Sequence, residues 1–90
     1  MVNHLPFKEN KIEGNIYLRT FSESTHTNDL LWHWDEEDRT IMSISSTDWK
    51  FQFDNHLPQE IRGEIKIPKG TWHRLIKGTG DLVLRVEKNI

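Results

Sequence analysis

With 90 residues, 12 basic and 14 acidic side chains, a net charge of −2 and no cysteine, the chain has room for one core and so reads as a single domain, 1–90. No run of Lys or Arg supplies the basic face a phosphate backbone requires, and no stretch approaches the ~20 apolar residues of a membrane span, so nucleic acid and membrane are not expected partners. The lack of cysteine excludes disulfides and thiolate metal sites and fits a cytoplasmic protein.

Residues 1–10 are irregular and polar. From there period-two alternation governs the chain. Residues 15–21 read as a first strand, rich in β-branched and aromatic side chains, and the cluster Ser22-Glu23-Ser24-Thr25 as a turn. Residues 30–34 read as a second strand, followed by the acidic turn Asp35-Glu36-Glu37-Asp38; residues 39–45 make a third, ended by Ser45-Ser46-Thr47-Asp48. The clearest alternation is Trp49-Lys50-Phe51-Gln52-Phe53-Asp54, with aromatic rings on one face and polar groups on the other. Ile61, Ile65 and Ile67 then alternate with Arg62, Glu64 and Lys66. A turn bracketed by Pro68 and Gly70 launches a strand carrying His73, and Lys77-Gly78-Thr79-Gly80-Asp81 reads as a hairpin turn before Leu82, Leu84 and Val86. Residues 87–90 read as frayed, and either end of the chain suits an edge strand in an oligomer. No stretch has helical periodicity of adequate length. Some seven short strands with regular turns predict an all-β antiparallel sandwich or barrel, its core at about 14–87.

Residues two apart on a strand project to the same side. His33 and Asp35 therefore project together, with Trp32 and Trp34 on the reverse, and His73 shares its side with Thr71 and Leu75. If both strands face one barrel interior, two imidazoles and one carboxylate meet. That is the ligand set of a facial triad with open positions, suited to iron, manganese, zinc or nickel rather than calcium or magnesium.

The stretch Gly63-Glu64-Ile65-Lys66-Ile67-Pro68-Lys69-Gly70-Thr71-Trp72-His73 resembles the second signature of the cupin superfamily: glycine, a short strand, Pro-x-Gly, two residues and a histidine. The stretch from His33 is similar to the first signature, His-x-His followed by a glutamate. The resemblance spans about residues 30–86 and implies a small antiparallel double-stranded β-helix, the cupin jelly-roll barrel, with a central pocket. Asp35 stands where the second histidine is usual, and Arg39 or Thr40 where the glutamate is usual. Four residues separate Gly63 from Pro68 where five are usual, Ser45-Ser46 replaces the closing glycine, and Lys77 replaces an asparagine. The ligand set the resemblance implies is thus reduced to His33, Asp35 and His73, with Arg39 close by.

Arg39 has two readings. Its planar fork can clamp the carboxylate of a small polar or anionic ligand held over the metal. Alternatively it pairs with Asp35, and the protein is a metal-free small-molecule-binding or structural module of the same fold. A His-x-Asp…His set also resembles the 2-oxoglutarate oxygenases, which would give Arg85 the co-substrate; the short chain argues for an outward Arg85 instead. If the protein is an enzyme, the resemblance implies a metal-dependent oxygenase- or isomerase-type reaction, and no organic cofactor is expected. Trp32, Trp34 and Trp72 read as packing or interface residues, which makes a homodimer the expected assembly. Glu36, Glu37 and Asp38 read as solvated. His4, His26 and His56 read as exposed, with only His26 near the barrel mouth.

Overall fold

In the computed structural model, which describes residues 5–89, the alternating segments become eight strands. They are β1 (Lys8–Glu13), β2 (Ile16–Phe21), β3 (Asp38–Ser43), β4 (Lys50–Phe53), β5 (Gln59–Glu60), β6 (Glu64–Ile67), β7 (His73–Ile76) and β8 (Leu82–Asn89), with one turn of 3-10 helix at Thr27–Asp29. A five-stranded sheet in the order β1-β2-β8-β3-β6 faces a three-stranded sheet in the order β5-β4-β7. Every strand pair is antiparallel. This is the all-β antiparallel architecture expected from the alternation, in the barrel form that the resemblance implied.

β8 is the spine of the larger sheet. Its Leu82, Leu84 and Val86 are buried, and β2 and β3 flank it in a register that sets Phe21 against Leu82, Arg19 against Leu84, and both Tyr17 and Ile41 against Val86. Directly opposed residues share a face. Arg19 on β2, and Arg39 on β3 opposite Lys88, therefore point inward between apolar neighbours. From the smaller sheet come Trp49 and Phe51, each only 1% exposed, and Ile61, Ile65 and Ile67 complete the core.

Several expectations are corrected. The polar segment 8–13 is an edge strand, so the barrel begins before residue 14. What stabilises it is electrostatic: Glu9 accepts hydrogen bonds from Arg19 Nε at 2.7 Å and Lys88 Nζ at 2.9 Å, tying β1 to β2 and β8. Residues 87–89 are not frayed but continue β8 between Ile16 and β3. Residues 30–34 form no strand; they follow a 3-10 turn, leave most of their side chains in solvent and pair only through a single bridge at His33. Residues 35–37 and 77–81 are crossings between sheets, and the second is not the hairpin turn expected, since the segments they join pair with different partners. His4 lies outside the described residues; His26 and His56 are exposed as expected.

The second crossing depends on Gly78. A Cβ there would lie 2.7 Å from the backbone nitrogen of Trp49 and overlap Asp48, while Asp48 itself accepts bonds from the Thr79 amide and hydroxyl at 2.8 Å. Gly78→Ala is expected to lower stability by about 2–3 kcal/mol, read as a lower urea midpoint at unchanged slope.

Candidate metal centre

Residues 68–71 form a turn in which the Thr71 amide donates to the Pro68 carbonyl at 3.2 Å and Gly70 takes φ +75°. Only a glycine adopts that angle without strain, which is why Pro-Lys-Gly-Thr sits here. The turn lays residues 70–73 antiparallel to 33–35. The Gly70 amide donates to the Asp35 carbonyl at 2.9 Å, and His33 and His73 exchange both backbone bonds at 3.0 and 2.9 Å. His33 thus stands directly opposite His73 on one face, with ring centroids 4.3 Å apart. Asp35, two residues on, joins them on that face.

One donor atom from each of His33, Asp35 and His73 lies within 4.8 Å of the other two. Both imidazoles are oriented from behind: His33 Nδ1 meets the Leu31 carbonyl at 3.0 Å, and His73 Nδ1 meets the Thr71 carbonyl at 2.7 Å. Each carbonyl can take the proton of Nδ1, which leaves Nε2 free to ligate, the arrangement found behind metal-ligating histidines. His73 is buried and stacks on Phe51 at 5.5 Å. Desolvation and the neighbouring His73 push the His33 imidazole below its ordinary value of 6.5, against the pull of the Leu31 carbonyl and of Asp35. The neutral, ligating form is favoured.

Asp35 is 8% exposed. Its Oδ1 lies 3.2 Å from Arg39 Nη1, whereas Oδ2 lies 3.4 Å from His73 Nε2, too far for a good hydrogen bond, and has no hydrogen-bond partner among the described residues. Burial alone would raise this carboxyl; the His73 ring and the Arg39 guanidinium outweigh it and hold Asp35 below its ordinary value. The donor set fits a divalent transition ion: two imidazole lone pairs, a carboxylate, and one buried oxygen otherwise unsatisfied.

Arg39 contacts Asp35, as one of its two readings has it, and is held from its other side as well. Its Nε and Nη2 donate to Glu37 at 3.0 and 2.9 Å, so Glu37 is an ion-pair partner and not a solvated turn residue. The arginine that lines the cavity beside the histidines is Arg19, whose guanidinium pairs with Glu9 and lies over the Phe7 ring. Sequence reasoning missed it, although its place between Tyr17 and Phe21 in the alternation marks an inward position. Trp32, Trp34 and Trp72 are 38–48% exposed and do not belong to the core. Arg74 covers the Trp32 ring at 4.6 Å. Arg85 alternates with the buried Leu84 and Val86 and sits on the outer face of β8.

No family model and no curated protein matches the sequence. Solved structures do match. A cupin domain from Bordetella pertussis superposes over 100% of both chains with a TM-score of 0.64 at 14% identity. A cupin-2 domain protein from Shewanella frigidimarina gives 0.64 at 13% identity, over 99% of this chain and 85% of the other. The chain has the cupin fold. A Ralstonia eutropha protein described as a candidate mannose-6-phosphate isomerase gives 0.62 at 14% identity over 93% and 83% of the two chains. Identities this low establish the architecture and leave chemistry to the residues themselves. Within this cupin-like barrel, the three candidate ligands lie on the two chain segments that carry the sequence resemblance, 33–35 and the end of 63–73.

Proposed function

We propose that this cupin-like protein binds one divalent transition metal, iron, manganese, zinc or nickel, through His33, Asp35 and His73, and takes a small molecule in the adjoining cavity. The observation that carries the reading is Asp35 Oδ2, buried without a hydrogen-bond partner in front of two imidazoles whose other nitrogens face carbonyls. A bound ion would supply Lewis-acid or oxygen-activating chemistry. The protein's own residues fix the ligands: the carbonyls of Leu31 and Thr71 set the two rings, and Arg39, braced by Glu37, sets the carboxylate.

Untagged protein is expected to retain close to one metal per chain. Adding that metal to chelated protein at 100-fold excess over Kd should contribute about 2.7 kcal/mol. In a domain this small that is a rise in Tm of roughly 10 °C or more. Protein that retains none of the four metals and melts unchanged in their presence would overturn the reading.

The Asp35–Arg39 contact at 3.2 Å favours a second reading, a metal-free module in which that ion pair is purely structural. Under it, chelator changes nothing. Arg39→Ala then destabilises by about 3 kcal/mol through an uncompensated buried carboxylate, and metal rescues none of the loss.

A further inference from the structure

Beside the two histidines lies a cavity of about 290 Å3. Phe21, Phe51, Leu75, Leu84 and Val86 supply much of its wall, and the exposed Leu31 lies where it meets solvent. An apolar cavity of roughly 150 Å3 takes benzene, so this one admits a ring with a short chain. Polar groups reach it from few places: the edges of His33 and His73, Arg19, and Asp29 on the exposed 3-10 turn. A sugar or a small dicarboxylate would leave water with few partners to replace it, at a cost of about 1–3 kcal/mol for each unmatched polar group.

Charge narrows the class further. Three carboxylates face three cations: Glu9 is in contact with both Arg19 and Lys88, and Arg39 with both Asp35 and Glu37. These six groups are neutral overall before any metal binds, and Asp29 at the exposed rim adds one negative charge. A divalent ion therefore leaves a net positive charge in a poorly solvated interior, which an anionic ligand head cancels.

We infer that the molecule taken by this cavity is a small apolar monocarboxylate, its ring or alkyl body among Phe21, Phe51, Leu75 and Leu84 and its carboxylate at the end formed by His33, His73 and Arg19. The inference rests on the metal reading for its charge argument and on the cavity for its shape. It narrows the small polar or anionic ligand expected from the sequence to an anion with an apolar body, and places it against Arg19 instead of Arg39.

The test is calorimetric titration of the full chain, zinc-loaded and chelated, with 3-phenylpropanoate, its neutral amide and succinate. Zinc-loaded protein should bind 3-phenylpropanoate at least tenfold more tightly than either comparison compound. Leu30→Trp, which fills the cavity from a loop and leaves the three ligands intact, should weaken that binding at least tenfold while zinc is retained. Amide-proton NMR shifts on binding should centre on Phe51, Leu75 and Leu84. If zinc is retained but the acid is not preferred, or is not bound, the inference falls and the metal reading stands. If no zinc is retained and the acid is still preferred, the metal reading falls and the ligand class stands on Arg19 and the cavity. Binding unaffected by Leu30→Trp, with shifts elsewhere in the barrel, overturns the inference as well.

Discussion

His33→Ala and His73→Ala are expected to abolish metal retention alike and yet to differ in stability by about 2–3 kcal/mol. Each removes one of three ligands, and two remaining donors do not hold a divalent ion against buffer and water. Their structural roles are unequal. His73 is 4% exposed, stacks on Phe51 and lies on β7, so its truncation opens a void in the core at a cost of about 3 kcal/mol. His33 lies in an exposed loop with only its ring edge on His73, so its truncation costs less than about 1 kcal/mol. The backbone bonds exchanged by the two residues survive in both variants. Urea unfolding of the chelated proteins measures the stability difference, and elemental analysis measures the metal. A His33→Ala protein that retains full metal would remove His33 from the centre.

The second large effect is on the acid side. Burial alone would raise the Glu9 carboxyl, but Lys88 and Arg19 outweigh it and hold Glu9 below its ordinary value of 4.5. Asp35 is likewise held below 3.8. For a carboxylate depressed in the folded state, the unfolded chain takes up the proton first as pH falls. The stabilisation is complete above the unfolded value and is lost as pH drops through the folded one. Chelated protein should therefore lose stability below about pH 4.5, with a slope approaching 1.4 kcal/mol per pH unit for each such group. Glu9→Gln should flatten this limb by one proton. At neutral pH it should cost about 2 kcal/mol, because Arg19 and Lys88 lose their shared partner. Acid unfolding curves of the two proteins that run parallel would show that Glu9 is not a linkage site.

These expectations draw unequally on sequence and on coordinates. The alternation of Trp49, Phe51 and Phe53, of Ile65 and Ile67, and of Leu82, Leu84 and Val86 was readable because side-chain direction on a strand is a local property with a period of two. The same rule set His33 beside Asp35, and Pro68 with Gly70 announced the turn that delivers His73. The edge strand β1 was not legible: its sequence is polar, and the charges that hold it belong to β2 and β8. The 30–34 segment misled in the opposite direction, since its aromatic residues resemble a strand while most of its side chains face solvent.

Local pattern was enough for an all-β antiparallel domain, for the apolar inward faces of β4, β6 and β8, and for the three candidate ligands. Tertiary structure alone decided that His33 stands directly opposite His73, that Arg39 is spent on Glu37 and Asp35, and that Arg19 lines the cavity. Alternation says which way a side chain points from its own strand. What it meets there depends on register and sheet order across residues up to 79 positions apart in the chain, and those are set only when both sheets close on one core.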